Sequence, residues 1–572
     1  MMNLVQTGQL ENLSPSVSTA ISRHPEDRSM LSMLHRVVTE DPSATLFIDG
    51  AADGSRTMTR LEFWQRTLTL QKDLKEQQVG PGDAVAVWLP NWTSTLSWQF
   101  AAASLGAHVI GINTRYNTEE IVHILQLARP RVMALAHGFL SLDLRQRLHQ
   151  SVARASAPAP SIAVVTGPTD DRVLDDSTLS SYDVGAGVWT PSPATTTVSL
   201  KMPTDVEEPE QIVAAFTTSG STGMPKLAAH SSAGIIHHAH SVAARGQWGP
   251  GMVNLTALPL SGVFGYSPSI AAIASGAACL LEPVFDEHLV VRHMAEHGVT
   301  HLVCADDIVT RLAAAWETAR TDLSSWKVLL IGDLYGRSHE VAAWARDNFG
   351  TVTCGVYGSS ELFALAAFWP LDEPLPRRWT GGGKLASEAI RARAADPVTD
   401  EVQEAGVTGE LQFHGPNVVD TYLGNATATE NAFTKDGWFR SGDLGTLNGD
   451  GTIQYTCRLG DALRLRGFLV EPAEIESRLI AHSDVSAVKV VGLRTSTGET
   501  EAVGFVVLSD GSQTTAEELR AWCAQSLAAF KVPSTIHLVA DMPTTQGTNG
   551  SKIRVAALRE LAQELNTKET ER

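Results

Sequence analysis

A run of small and hydroxyl-bearing residues between Phe216 and Lys226 directly precedes a single lysine. Gly220 and Gly223 allow the backbone to adopt positive φ and to bring its N–H groups close to an anion. The hydroxyl side chains can donate hydrogen bonds, and Lys226 adds a positive charge. The hydroxyls belong to Thr217, Thr218, Ser219, Ser221 and Thr222. The run predicts a loop that binds a polyphosphate such as ATP, although an ordinary Gly/Ser surface loop has a similar composition.

The elements on either side of this loop must position it. Residues 211–216 form an apolar run of strand length, and residues 228–242 are rich enough in Ala and His to be helical. We therefore expect the loop to join a strand to a helix. A Walker A loop is excluded, because that motif requires Gly-Lys-Ser/Thr and here Pro225 precedes the lysine and Leu227 follows it.

Further segments follow the loop in a fixed order. Alone, each could be a plain turn, a helix cap or the first turn of a helix. Together with the loop they resemble the AMP-forming adenylating superfamily, which includes acyl- and aryl-CoA synthetases, the adenylation domains of peptide synthetases, and luciferases. The segments are Tyr-Gly-Ser-Ser-Glu at 357–361, Trp-Phe-Arg-Ser-Gly-Asp at 438–443, Arg-Leu-Gly-Asp at 458–461 and Asn-Gly-Ser-Lys at 549–552.

The first of these segments is implied to contact the nucleotide and its metal ion. By the resemblance, Tyr357 lies against the nucleotide. Gly358, Ser359 and Ser360 belong to the same nucleotide-binding segment. Glu361 is implied to hold Mg²⁺, a hard cation that is usually held by one or two carboxylates together with phosphates.

The later segments receive roles from the same resemblance. Asp443 accepts hydrogen bonds from the ribose hydroxyls, and Arg458 reaches ribose or phosphate. Asp461 is the pivot of a hinge. Lys552 is the catalytic lysine, which acts as a hydrogen-bond donor and a point charge. The implied catalytic residues are Lys552, Glu361 and Lys226.

The family's chemistry follows from the poor electrophilicity of a carboxylate, whose leaving group would be oxide. The acid first attacks the α-phosphorus of ATP and releases pyrophosphate, and Mg²⁺, N–H groups and a lysine stabilise the charge that develops. The small domain then rotates, and a thiol, expected to be that of CoA, attacks the acyl-AMP. The resemblance thus implies ATP, Mg²⁺ and CoA, with an aromatic or medium-chain acid as the substrate.

Two other functions remain open. The enzyme could pass the adenylate to a carrier-protein thiol or to an amine, or it could activate nitrite for diazotisation of an aryl amine. The chain could instead be a catalytically silent nucleotide-binding relative. That alternative is disfavoured because the implied polar residues are all present, namely Lys226, Glu361, Asp443, Arg458 and Lys552.

The acyl pocket departs from the family at Gly262, where a histidine that borders the carboxylate is common. Three interpretations remain: the pocket admits a bulkier or branched head group, other groups hold the acid, or the loop shifts in register so that Phe264 or Tyr266 fills the gap. Asp333 lies where the family has small residues near adenine and substrate. It either meets an amino or hydroxyl substituent of the substrate or faces solvent.

Helix-like and strand-like stretches alternate along the first part of the chain and predict an α/β fold with a parallel sheet. Helices are predicted for residues 60–78 and 98–105, and strands for residues 84–89 and 108–112. Residues 157–210, rich in Pro, Thr, Ser and Asp, are predicted to be a loop or a poorly ordered insertion.

The length of 572 residues is too great for one core. We expect a large N-terminal domain of parallel-rich sheets flanked by helices over residues 1–457, and a hinge at 458–461. A small, mobile C-terminal α+β domain is expected over residues 462–572. Its predicted elements are strands at 484–492 and 501–508 and a helix at 516–528.

Composition excludes several classes of partner. The net charge of −19 argues against a nucleic-acid partner and for a cytoplasmic protein. No secretory signal is apparent, and the longest apolar stretch, residues 270–281, is shorter than the ~20 residues that span a bilayer, so no membrane insertion is expected. The five cysteines form no Cys-x-x-Cys pair and are expected to be reduced. The histidine clusters at 237–240 and 293–301 lack a His-Glu-x-x-His motif, so we expect no zinc site.

Overall fold

The computed structural model of the chain describes residues 24, 26–170, 172–194, 200–203, 207–218, 225–334, 336–459, 463–465, 468–470, 472–494, 500–527, 529–547 and 550–570. The chain divides into two compact units. The first unit comprises Met1–Ala392 and Phe413–Phe439, and the second comprises Arg393–Gln412 and Arg440–Arg572. The domain limits expected at 457 and 462 stay a prediction.

Helices occur throughout the described residues. In chain order they are α1 Met30–Glu40, α2 Arg60–Glu76, α3 Thr93–Ala103, α4 Thr118–Ala128, α5 Leu144–Arg154, α6 Asp176–Ser180, α7 Ser232–Gly246, α8 Val263–Ala274, α9 Glu287–Glu296, α10 Asp306–Thr318, α11 Ser338–Phe349, α12 Ala426–Ala432, α13 Pro472–Ile480, α14 Ala516–Ala524 and α15 Val555–Thr570. Short 3₁₀ helices span Ser360–Leu362, Arg377–Trp379 and Ala529–Lys531.

Strands alternate with these helices. The strands of the first half are β1 Thr45–Asp49, β2 Arg56–Thr59, β3 Ala84–Trp88, β4 His108–Gly111, β5 Val132–Ala136, β6 Ser161–Val165, β7 Val188–Trp189, β8 Ile212–Thr218, β9 Lys226–Ser231, β10 Val253–Thr256 and β11 Ala278–Leu281. Those that follow are β12 His301–Ala305, β13 Val328–Gly332, β14 Val352–Tyr357, β15 Ala367–Phe368, β16 Gly382–Leu385, β17 Arg391–Ala395, β18 Thr408–His414, β19 Thr421–Tyr422, β20 Phe439–Leu447, β21 Thr452–Arg458, β22 Leu463–Leu465, β23 Phe468–Val470, β24 Val485–Arg494, β25 Thr500–Leu508, β26 Thr535–Leu538, β27 Thr544–Gly547 and β28 Gly550–Ile553.

One sheet of the first unit runs in the order β16-β15-β14-β13-β12-β10-β11-β1-β2. Its central strands, from β14 to β1, pair in parallel, whereas β2, β15 and β16 pair antiparallel with their neighbours. The parallel strands are apolar along their length, as in β13, where all residues but the last are buried. A continuous apolar strand is typical of a sheet covered on both faces.

The second sheet of the first unit runs in the order β19-β9-β8-β4-β3-β5-β6-β7. β8 and β9 are antiparallel, with Thr218 opposite Lys226. The predicted phosphate loop therefore joins two strands. The helix expected over residues 228–242 is wrong for its first residues, because β9 continues to Ser231 and α7 begins only at Ser232. Strand pairing with β8 overrides the helix propensity of the alanines in β9.

Most of the other predicted elements are present, and the α/β fold class is confirmed. The elements α2, β3 and β4 lie where the sequence predicts them, whereas α3 begins five residues early, at Thr93. Its start is fixed by Asp49, whose carboxylate accepts hydrogen bonds from the backbone N–H and the hydroxyl of Thr93 at 2.8 and 2.7 Å. The loop expected over residues 157–210 is wrong in part, because β6, α6 and β7 lie within it.

Fully buried apolar residues, several of them tryptophans, help to hold these sheets in place. Trp88 and Trp98 are fully buried in the core of the second sheet. Trp326 and Leu329 are fully buried against the other sheet. These cores fix the carboxyl ends of the parallel strands, the edge at which ligands bind in open α/β sheets.

The second unit is smaller and mixes strands with a few helices. β20 and β21 form an antiparallel pair. β24 pairs antiparallel with β25, which pairs in parallel with β26, and α13 and α14 supply Ile475, Leu479 and Leu519 to the core beside them. The expected strands and helix of this region are confirmed as β24, β25 and α14. Within the described parts of both units, no helix has the length and apolar character needed to cross a membrane.

Candidate active site

The stems of the predicted phosphate loop are held on both sides. Thr217 at the end of β8 shares a hydrogen bond of 2.6 Å with the phenol of Tyr116, and burial raises the pKa of that phenol to about 12. On the other stem, the imidazole Nε2 of His123 donates to the Pro225 carbonyl at 2.7 Å. Thr218 is buried next to the loop. The loop residues themselves lie outside the described residues, namely Ser219, Gly220, Ser221, Thr222 and Gly223.

Lys226 and Glu361 are brought together by a third residue, Tyr422. The Lys226 Nζ lies 4.6 Å from the centroid of the Tyr422 ring. The Tyr422 hydroxyl donates to Glu361 Oε1 at 3.0 Å. Lys226 and Glu361, which lie 135 positions apart in the sequence, thus contact the same side chain. The residue predicted to bind phosphate, Lys226, and the residue predicted to bind Mg²⁺, Glu361, therefore lie in one region of the first unit.

Sequence reasoning missed Tyr422. β19 is only two residues long, which is too short for any periodicity to indicate a strand. The available signal was weaker: Tyr422 is one of seven tyrosines in the chain and follows a Gly-Pro-Asn turn at 415–417. That signal predicts a turn followed by an amphipathic side chain, but it does not indicate that the side chain contacts Lys226 or Glu361.

Glu361 lies in a 3₁₀ turn that is fixed at its backbone. His230 Nε2 donates to the Ser360 carbonyl at 2.7 Å, and the Val419 N–H donates to the Glu361 carbonyl at 2.6 Å. Gly358 is required before the turn, because a Cβ there would lie 2.6 Å from the carbonyl carbon of Ala364. Close backbone approach therefore explains the glycine of the 357–361 segment.

The backbone after Glu361 adopts an uncommon conformation. Phe363, Ala364 and Leu365 have φ values of 55°, 54° and 29°, in a region that residues with a Cβ seldom occupy. The Phe363 ring is buried, with its centroid 5.0 Å from that of His230 and 5.6 Å from that of His238. Such backbone strain persists only where the surroundings over-determine it, and here it follows directly after the predicted metal ligand.

Tyr357 ends β14 as a buried side chain. Its ring is stacked on Phe413, with the centroids 5.6 Å apart and the planes at 20°. The stacking fixes the orientation of the aromatic ring. Its contact with a nucleotide stays a prediction.

In the second unit, Asp443 and Arg458 are partners across β20 and β21. Arg458 Nε lies 3.1 Å from Asp443 Oδ1, and Arg458 Nη1 donates to the Ser441 carbonyl at 2.9 Å. Asp443 is buried, and its backbone N–H donates to the Ser441 hydroxyl at 3.0 Å. These contacts orient the Asp443 carboxylate, which is expected to accept hydrogen bonds from the ribose hydroxyls. The ribose contact itself stays a prediction.

The two remaining residues of the second unit are less defined. The predicted pivot Asp461 lies outside the described residues. Lys552 belongs to the β27–β28 hairpin, in which it is opposite Thr545. Its catalytic role stays a prediction.

Gly262 and Phe264, which are predicted to line the substrate pocket, lie at the start of α8, and their contact with a substrate stays a prediction. Gly262 precedes this helix with φ −112° and ψ 144°, an extended conformation that any residue adopts, and its carbonyl accepts the N–H of Tyr266 at 3.0 Å. The Tyr266 ring lies 5.1 Å from the Phe216 ring, and burial raises the pKa of its phenol. Phe264 packs against Gly332, with a ring carbon 3.5 Å from the position of a Cβ there.

Asp333 follows Gly332 at the end of β13 and is exposed. Its carboxylate accepts hydrogen bonds from the hydroxyl and the backbone N–H of Ser338, at 2.8 and 3.3 Å. It therefore helps to fix the start of α11. A contact with a substrate substituent stays a prediction.

Glu361 has the chemistry of a magnesium ligand. Within the described parts of the chain, no group of at least three His, Cys, Asp or Glu side chains could hold a metal ion. Mg²⁺ does not need such a group, because it is usually bound through one or two carboxylates together with phosphates and water. The donor set of one carboxylate beside a predicted phosphate loop fits this ion.

Comparison with known proteins decides the family. A family model described as AMP-binding enzyme matches residues 34–423, and a second, described as AMP-binding enzyme C-terminal domain, matches residues 474–548. The chain belongs to the AMP-binding enzyme family. The resemblance drawn from the sequence motifs is thereby confirmed.

Relatives within this family are CoA ligases by name. A 3-[(3aS,4S,7aS)-7a-methyl-1,5-dioxo-octahydro-1H-inden-4-yl]propanoyl:CoA ligase of Rhodococcus jostii is 27% identical over 511 residues, which cover 87% of this chain and 93% of the relative. A feruloyl-CoA synthase of an Amycolatopsis species is 28% identical over 494 residues, which cover 86% of this chain and 92% of the relative.

Two solved structures share the fold of this chain. ATP-bound MatB from Rhodopseudomonas palustris matches with a TM-score of 0.78 at 22% identity, covering 94% of this chain and 99% of MatB. The amide bond synthetase McbA from Marinactinospora thermotolerans matches with a TM-score of 0.77 at 23% identity, covering 93% of this chain and 100% of McbA. At such identities the likeness concerns the fold alone.

Proposed function

We propose that this enzyme activates a carboxylic acid with ATP as an acyl-AMP and passes the acyl group to CoA. The observation that supports this most directly is the arrangement of Lys226, Tyr422 and Glu361, beside the stems of a predicted phosphate loop in a member of the AMP-binding enzyme family. The CoA ligase activity named for the curated relatives supports the choice of acceptor.

The acid that we propose is aromatic, with a medium-chain acid as the alternative. Phe264 and Tyr266 lie in the first turn of α8, directly after Gly262 of the predicted pocket. Aromatic side chains prefer to pack against other rings in offset or edge-to-face arrangements, which supports an aromatic acid. The feruloyl-CoA synthase among the relatives acts on an aromatic acid by name.

The roles that we propose for individual residues are those implied by the family resemblance. Lys226 binds a phosphate oxygen of ATP, and Glu361 holds Mg²⁺, which supplies positive charge to the phosphates. The Asp443 carboxylate accepts hydrogen bonds from the ribose hydroxyls, and Arg458 orients that carboxylate. Lys552 stabilises the charge that develops on the α-phosphate as the acid attacks. Asp461 remains the proposed pivot, between proposed domains at residues 1–457 and 462–572.

A second candidate function keeps the adenylate and changes the acceptor. The amide bond synthetase McbA has the same fold, which supports an amine as an acceptor in this architecture. Gly262, in place of the histidine that is common in the family, leaves a carrier-protein thiol and nitrite activation as further variants of this candidate.

Pyrophosphate exchange into ATP, measured over a panel of aromatic and aliphatic acids, tests the proposal. Acid-dependent exchange followed by CoA consumption is the expected result. Exchange or AMP release without CoA consumption would support the second candidate. Nucleotide binding with no exchange for any acid would contradict both and indicate a catalytically silent relative.

A further inference from the structure

We propose that Tyr422 is a positioning residue of the nucleotide site, whose ring places Lys226 and whose hydroxyl orients Glu361. The inference rests on the proposed function, in which these two residues contact the phosphates and Mg²⁺. It assigns separate tasks to two parts of one side chain.

The strand pairing explains why the ring meets the lysine. Tyr422 lies opposite Ala228 in the β19–β9 pair. Lys226 is two residues before Ala228, so the side chains of these two residues lie on the same face of the sheet. The Tyr422 side chain, opposite Ala228, lies on that face too, and its ring reaches Lys226 diagonally. The resulting distance of 4.6 Å from Nζ to the ring centroid is that of a cation–π contact. A lysine has a long, flexible stem, and this contact restricts where its charge lies before a nucleotide binds.

The hydroxyl acts on the glutamate. It donates to Glu361 Oε1 at 3.0 Å. That bond restricts the orientations that the carboxylate can adopt. Val419, three residues before Tyr422, holds the backbone carbonyl of Glu361 at 2.6 Å. One short segment therefore fixes Glu361 at both its main chain and its side chain.

Tyr422 is itself rigid enough to serve as a reference. It is buried, and its backbone N–H donates to the Thr429 hydroxyl at 3.0 Å. The strand pair and this hydrogen bond both restrict the position of Tyr422. Through its contacts with both residues, Tyr422 therefore positions Lys226 and Glu361 relative to β9 and to each other.

Two substitutions separate the two tasks. Tyr422→Phe keeps the ring under Lys226 and removes the donor to Glu361. Tyr422→Leu removes both. Tyr182→Phe is the matched control, because Tyr182 is also buried and its hydroxyl forms a hydrogen bond of 2.7 Å with His137 Nδ1, a partner other than Lys226 or Glu361.

The measurement is equilibrium binding of ATP by titration calorimetry, in EDTA and at graded Mg²⁺ concentrations. For Tyr422→Phe we expect unchanged ATP affinity in EDTA and about a 10-fold smaller gain in affinity from Mg²⁺, the usual effect of losing a partner that orients a metal ligand. For Tyr422→Leu we expect the ATP affinity in EDTA to fall as well, by about 3-fold. Tyr182→Phe should match the wild type in both conditions.

A double-mutant cycle with Glu361→Gln completes the test. In the Glu361→Gln background, Tyr422→Phe should have no further effect on the Mg²⁺ dependence, because the group that it orients is already gone. Wild-type Mg²⁺ dependence in Tyr422→Phe, or an equal added loss in the Glu361→Gln background, would overturn the inference. Failure of the proposed function is distinct: the wild type would then lack acid-dependent pyrophosphate exchange, whatever the binding data show.

Discussion

Arg458 and Asp443 form an ion pair across neighbouring strands, with Nε 3.1 Å from Oδ1. The two side chains differ in their surroundings. That of Asp443 is only 6% exposed, whereas that of Arg458 is 51% exposed. The pair therefore adds little stability through charge alone, since exposed partners are screened by water. Its geometry instead orients a buried carboxylate, as the proposed binding of ribose hydroxyls requires.

Replacing Arg458 should impair ATP binding more than acceptor binding. In Arg458→Met, the carboxylate loses its orienting partner, and we expect the KM for ATP in pyrophosphate exchange to rise about 10-fold. The KM for CoA should change by less than about 2-fold. Arg172→Met, which removes a solvent-exposed pair with Asp170, is the control and should leave both constants unchanged. Equal changes for ATP and CoA would contradict the assigned role of Arg458.

Lys552 should be required for adenylation and not for the transfer step. We expect Lys552→Ala to lower acid-dependent pyrophosphate exchange by about 10²- to 10³-fold, the usual effect of removing a group that stabilises transition-state charge. The same variant, supplied with synthetic acyl-AMP and CoA, should still form thioester, measured by chromatography. Exchange at the wild-type rate would show that the lysine is wrongly assigned.

The absence of a side chain at Gly262 should influence acid selectivity. Because its backbone is extended, a histidine can adopt the same conformation without strain. We expect Gly262→His to lower kcat/KM for branched or bulky acids about 10-fold relative to unbranched ones, with Gly262→Ala intermediate. The measurement is the ratio of kcat/KM values over matched acids. A uniform loss across all acids would indicate that residue 262 does not border the head group.

Acidification should destabilise the first unit through its buried histidines. Burial lowers the pKa of His230, His237 and His301 from 6.5 to about 4. Between these values the unfolded chain binds more protons than the folded chain, so stability falls as the pH decreases from about 6.5 towards 4. The midpoint of thermal unfolding should decrease over this range, and His301→Gln should weaken the decrease.

Asp49 provides the opposing control. Burial raises the pKa of its carboxyl from 3.8 to about 6, so the folded chain binds more protons between these values, and stability from this group increases on acidification. Asp49→Asn should therefore make the decrease in the unfolding midpoint steeper. A shallower decrease would contradict the assigned sign.

The motif residues that we propose to bind ligands are recognisable in the sequence because chemistry restricts their types. Gly358 is required by close backbone contact, and Asp443 and Arg458 by charge and hydrogen bonding, so the motifs that contain them are recognisable in one chain. The alternation of α2, β3, α3 and β4 followed from apolar periodicity alone. These features depend on local sequence or on fixed chemistry.

Features that depend on distant strand pairing could not be predicted. The helix propensity of Ala228 predicts a helix, yet pairing with β8 makes it a strand residue. Tyr422 meets Lys226 only because β19 pairs with β9 across nearly two hundred residues of intervening chain. Nothing in the sequence near residue 422 encodes that register.

Transfer of an oxygen atom tests the central claim most directly. The enzyme is supplied with ATP, CoA and an acid whose carboxylate carries ¹⁸O. The acid oxygen that attacks the α-phosphorus becomes the bridge between the acyl group and AMP. When the thiol of CoA attacks the acyl carbon, AMP leaves with that one acid-derived oxygen. Mass spectrometry should therefore detect AMP that contains one ¹⁸O, together with unlabelled pyrophosphate. Unlabelled AMP, or ADP with labelled phosphate, would contradict the formation of an acyl-adenylate by this enzyme.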